Sequence, residues 1–73
     1  MTYQEKKNEQ LKHSSISFDS LEDLVKEIES IKNSNIKKLS LCKSEIGDNN
    51  WEVVRNVVLD YFAYTDMDIV AYV

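Results

Sequence analysis

Two carboxylates, Asp66 and Asp68, stand two residues apart at the head of the apolar run Ile69-Val-Ala-Tyr-Val73. On a strand, positions i and i+2 project from one face, and paired hard oxygens of this kind suit a shared divalent cation. The other reactive side chains are a single histidine, His13, and a single cysteine, Cys42. A catalytic nucleophile needs a base beside it and a group to orient that base. One histidine at the edge of a polar segment, with no Gly-x-Ser-x-Gly elbow, does not supply them. His13 therefore reads as a solvated surface residue and Cys42 as a small hydrophobe of the core. A lone cysteine also rules out an intramolecular disulfide and a thiolate metal cluster. The expectation is a protein that is not an enzyme and uses no cofactor and no metal.

Binding is the chemistry these residues favour. Trp51, Tyr61, Phe62, Tyr64 and Tyr72 all fall in the second half of the chain. Residues 1–42 balance seven lysines against seven acids, whereas residues 43–73 carry two basic and six acidic residues, so the whole excess of −4 lies there. Tyrosine and tryptophan bring large contact area with one polar handle, which suits interfaces. Trp51, Phe62 and Tyr72 are expected in the core. Tyr61 and Tyr64, with Asp60, Asp66 and Asp68, form the expected partner surface. Acidic surface repels phosphate backbones, which argues against direct nucleic-acid binding, and attracts a larger basic protein.

The elements that must position these residues follow from periodicity. Residues 1–13 are mostly polar and read as a tail or a marginal helix, leaving 14–73 as one α/β domain. Ser15-Ile16-Ser17-Phe18 alternates as a short strand does. Asp19 or Ser20 caps a helix over 20–32, whose Leu21, Leu24, Val25, Ile28 and Ile31 share a face. Asn33-Ser34-Asn35 ends it. Ile36 to Cys42 reads as a second strand, and Lys43 to Asn50 as a loop in which Gly47 adopts a positive φ. Trp51, Val54, Val58 and Phe62 mark a second helix, capped by Asp48, Asn49 or Asn50. The continuous apolar run at 69–73 predicts a strand covered on both faces. Strand, helix, strand, helix, strand predicts a small two-layer α/β (or α+β) domain, with a three-stranded, mainly parallel sheet and two helices.

Two short stretches resemble known families. Tyr64-Thr-Asp66-Met-Asp68-Ile-Val70 resembles the Asp-x-Asp strand of polymerase-beta-type nucleotidyltransferases, which implies magnesium held by Asp66 and Asp68. The Gly-Ser pair that precedes this strand in that family is missing from Leu59-Asp-Tyr-Phe-Ala-Tyr64. Leu39-Ser-Leu41-Cys-Lys-Ser44-Glu-Ile46 looks like one unit of a leucine-rich repeat of the ribonuclease-inhibitor type. It occurs once, whereas solenoids need about three stacked units. The leading expectation is a small, acidic binding module that docks on a basic, nucleic-acid-handling protein and inhibits it, as immunity, antitoxin or anti-defence proteins do. A self-assembling homodimer through the 69–73 strand or an exposed edge is the alternative, and a degenerate nucleotidyltransferase-like fragment the second. With no stretch near the ~20 apolar residues of a membrane span and no leader-like start, a cytoplasmic location is expected.

Overall fold

The structure is a computed structural model that describes all residues, Met1–Val73. Its elements run β1 (Thr2–Lys6), α1 (Leu21–Lys32), β2 (Lys38–Cys42), α2 (Lys43–Ile46), α3 (Asp48–Tyr61) and β3 (Asp68–Tyr72). The three strands form one all-parallel sheet in the order β1-β3-β2. The molecule is a small α/β domain. No helix is long and apolar enough to cross a membrane.

Side-chain alternation sorts the sheet into two unlike faces. Tyr3, Ile69 and Leu39 are in register, as are Glu5, Ala71 and Leu41. These rows face α1 and α3, and Leu39, Leu41, Ile69 and Ala71 join Leu24, Ile28, Ile31, Trp51, Val54, Val58 and Phe62 in one core. The other face carries Thr2, Gln4, Lys6, Lys38, Ser40, Asp68, Val70 and Tyr72, none of them buried; Cys42, in register with Tyr72, is the exception and is buried beside Asn8 and Ser44. The expectation that residues 69–73 are covered on both faces is thus corrected. The run is apolar because β3 is central, flanked by a strand on each side, while helices cover only one of its faces. Tyr72, expected in the core, is half-buried on the open face.

Helix α1 follows its sequence pattern except at Leu21, expected on the apolar face but exposed in the first turn. Ser20 is the cap, its hydroxyl accepting from the Asp23 N–H at 3.3 Å, and Glu22 and Asp23 place negative charge in the first turn. The helix ends where Ser34 turns back to donate to the Ile31 carbonyl at 2.7 Å. Helix α3 begins differently from expectation. Gly47 holds the cap position, with no side-chain cap, and its carbonyl accepts from Asn50 and Trp51. Its φ of 94° and ψ of 142° lie where side chains are strained, so a glycine separates the one-turn α2 from α3.

Residues 1–13 are not the expected tail or helix. Thr2–Lys6 is a strand, with Thr2 N–H donating to Met67 O and Val73 N–H to Lys6 O. Residues 15–18, in turn, form no strand, yet their segment seals the edge of β2. Ser15 N–H donates to Ser40 O at 2.8 Å, Ser15 Oγ accepts from Ser40 N–H at 3.0 Å, and Ser14 Oγ accepts from Cys42 N–H at 2.7 Å. Serine side chains stand in for a strand's backbone. Glu45 fastens this strap from α2. Its carboxylate accepts from the Ser14 N–H and meets the His13 ring at 2.9 Å, and these contacts, the Ser14 bond first, hold it below its usual pKa. His13 is otherwise solvated, as expected. Cys42 is buried, with Asn8 Nδ2 at 3.3 Å and Ser44 Oγ at 3.1 Å from its sulfur.

Candidate partner-binding site

Four of the five expected partner residues come together where α3 ends and the chain turns into β3. Asp60 and Tyr61 close the last turn of α3, and Tyr64 and Asp66 follow in the connection. The connection is tightly specified. Thr65 donates from both its N–H (3.2 Å) and its hydroxyl (2.8 Å) to Phe62 O, while that hydroxyl accepts from Met67 N–H. The N-terminal ammonium of Met1 donates to Thr65 O at 2.6 Å. Phe62 and Met67 are buried on either side. Between these two anchors the Tyr64 side chain stands fully in solvent, packed on nothing.

Tyr64 separates two shallow concavities. One, of about 410 Å³, lies over the buried Ile31, Phe62 and Met67 and is bordered by the exposed Ile36 and by Lys32, Lys37 and Asp66. The other, of about 290 Å³, lies among Lys32, Asp60, Tyr61 and Thr65. Ile36, expected to open the second strand, instead precedes it and is 49% exposed. The bare ring of Tyr64 and the exposed Ile36 are the apolar surface at this end of the molecule.

Its charge differs from expectation. Lys37 Nζ lies 3.0 Å from Asp66 Oδ1, and Lys32 lines both concavities, so the aspartates are interleaved with ammonium groups. Sequence reasoning missed both lysines. Nothing local links Lys37 to Asp66; only the pairing of Lys38 with Asp68 in the β2–β3 register brings them together. Asp68, the fifth expected residue, stands apart on the open face of the sheet and accepts a 2.6 Å hydrogen bond from the Thr2 hydroxyl.

That arrangement also speaks to the acid pair. Asp66 precedes β3, which starts at Asp68, and the two carboxylates are engaged by different partners, Lys37 and Thr2. A shared cation needs both to converge, and no group of three or more His, Cys, Asp or Glu side chains gathers anywhere as ligands would. The stretch resembling a leucine-rich repeat keeps that unit's strand–helix–strand order, with β3 following α3 and pairing parallel to β2, but no stack continues from it: the other neighbour of β3 is the N-terminal β1, and the sheet ends there.

Lys37 holds the Asp66 carboxyl below its ordinary value of 3.8, with help from the Asp66 backbone N–H. A carboxyl depressed in the folded state adds stability above its unfolded pKa, and that stability is lost as pH falls through the depressed value. Asp66 and Glu45 both act in this sense. The urea midpoint should therefore be flat between about pH 5 and pH 9 and fall towards pH 3. Lys37→Met should raise the Asp66 titration seen by carboxyl carbon-13 shifts. An unmoved titration would show that the ion pair does not form in solution.

Compared with protein-family models, with curated proteins and with solved structures, the chain matches none.

Proposed function

We propose that this chain is a non-enzymatic binding module that seats Tyr64 in a pocket of a larger, basic protein. The observation that carries the reading is the ring itself: a large aromatic side chain left entirely in solvent on a turn pinned by Thr65 and the N-terminus. Rigid aromatic anchors lose little entropy on binding and dominate interface energetics. The exposed Ile36 would lie under the partner's pocket rim. Lys32, Lys37, Asp60 and Asp66 supply a mixed polar border, as interfaces commonly have.

The net charge of −4 supports a basic partner through encounter rate, more than through the contacts at this end. Occupying the cleft of a nucleic-acid-handling protein would block it, which is the inhibitory form of this reading. Tyr64→Ala should weaken binding to a purified partner by about 2 kcal/mol or more, roughly thirtyfold. Because the ring packs on nothing, the unfolding midpoint should stay unchanged. Retained affinity in a folded Tyr64→Ala protein would sink the proposal.

A further inference from the structure

The sheet has two edges, and the chain treats them differently. On β2 the outward groups of Ser40 and Cys42 are taken up by the Ser14–Ser15 strap. On β1 nothing corresponds. Thr2 N–H and Lys6 O point inward to β3, so by alternation Thr2, Gln4 and Lys6 serve the ladder, and Tyr3 and Glu5 turn their N–H and C=O groups outward. No proline, glycine or bulge interrupts this edge, and no segment of the chain covers it. The apolar strand at 69–73, which the sequence offered for self-pairing, is central and has both edges filled. The edge open along its whole length is therefore β1.

We propose that two copies of the chain join through β1, antiparallel, with Gln4 at the two-fold axis, into one continuous six-stranded sheet. The register follows from which groups face outward. Only odd-numbered residues offer free backbone groups, so the axis must pass through Tyr3, Gln4 or Glu5. Centring on Glu5 sets two carboxylates opposite each other and asks for the Lys7 carbonyl, which already accepts from Glu9 N–H. Centring on Tyr3 leaves Glu5 opposite the Met1 terminus, which is committed to Thr65.

Centring on Gln4 lets each Tyr3 exchange both backbone bonds with Glu5 of the second copy, four bonds in all. It also places phenol opposite carboxylate. That pairing has a precedent within the chain, where Tyr3 Oη donates to Glu5 Oε2 at 2.9 Å. The phenol stays a donor because burial, then Glu5, push its pKa up to about 12. On the open face Lys6 would meet Thr2 of the second copy and Gln4 would meet itself, so no like charges are opposed there; at the strand ends Lys7 falls opposite the Met1 terminus, whose ammonium is engaged by Thr65. The inference stands independently of the role given to Tyr64.

Sedimentation equilibrium from micromolar to millimolar protein should show the mass doubling. Glu5→Pro removes an outward N–H together with the carboxylate that meets Tyr3 and Arg55, but spares the ladder to β3, since proline is tolerated at an edge whose N–H faces away from the sheet. It should weaken association roughly ten- to hundredfold, with circular dichroism reporting a retained fold. A second arm does not depend on that variant folding. Gln4→Cys should form disulfide-linked dimers under mild oxidation far faster than Lys6→Cys, because only position 4 faces itself. A wild-type monomer at millimolar concentration, a folded Glu5→Pro that still dimerises, or equal crosslinking at positions 4 and 6 would each overturn the proposal.

Discussion

Replacing Phe62 by alanine should leave the chain largely unfolded at room temperature. Phe62 is the largest of the side chains with no exposed surface, and it sits where α3 hands over to β3. It touches the core shared by both long helices and the sheet. Truncating a buried phenylalanine typically removes about 3–5 kcal/mol, because the cavity it leaves collapses only in part. A domain of this length has a total of only roughly 4–11 kcal/mol to lose. The same change also loosens the turn that presents Tyr64, since Thr65 hangs from the Phe62 carbonyl. A thermal scan of Phe62→Ala with a cooperative transition near that of the wild type would show that Phe62 is not the keystone of the core. Phe62→Leu, which keeps most of the volume, should fold with a lowered midpoint.

Deleting Met1–Lys7 should be nearly as damaging, though a polar N-terminal segment is ordinarily expendable. These residues supply β1, one of the two neighbours of the central strand. Without them the outward N–H and C=O groups of Ile69 and Ala71 lose their partners, and the ladder between Thr2–Lys6 and Asp68–Tyr72 is gone. The deletion also removes Tyr3 from the core margin, the Thr2 hydroxyl from Asp68 and the ammonium from Thr65. Ile69 and Ala71, both fully buried, then face solvent along a bare edge, a setting for aggregation. Loss of the cooperative unfolding transition, with oligomers on a sizing column, is the expected result. A truncated protein as stable as the full chain would mean that β1 is not a working part of the sheet.

How legible this was differs from element to element, and the reason is physical. Helix α1 and helix α3 announce themselves because Leu24, Ile28 and Ile31, and Trp51, Val54 and Val58, recur at helical spacing and are buried where that spacing puts them. Strand β1 is hidden because an edge strand with one open face needs almost no apolar residues. Of Thr2-Tyr-Gln-Glu-Lys6 only Tyr3 packs on the core, and pairing is imposed from outside by β3. Ser15-Ile16-Ser17-Phe18 misleads in the opposite direction. Its alternation is real, with Ile16 buried, yet the serine hydroxyls replace the backbone groups that would make it a strand. At the site, Tyr61, Tyr64, Asp60 and Asp66 were readable as neighbours because they are close in sequence. Lys32, Ile36 and Lys37 were not, since Lys32 comes to this end through the packing of α1 and the other two through the β2–β3 register.

The sheet order has a consequence for how the molecule is made. Its central strand is the last to be synthesised, and Thr2 meets Asp68 across a separation of 66 residues. Neither outer strand has a neighbour until that segment has emerged from the ribosome, so nascent chain can build its helices but no sheet. Folding must wait for translation to pass β3, and its rate should be slow for so short a protein, as loop closure between distant segments precedes any reward from pairing.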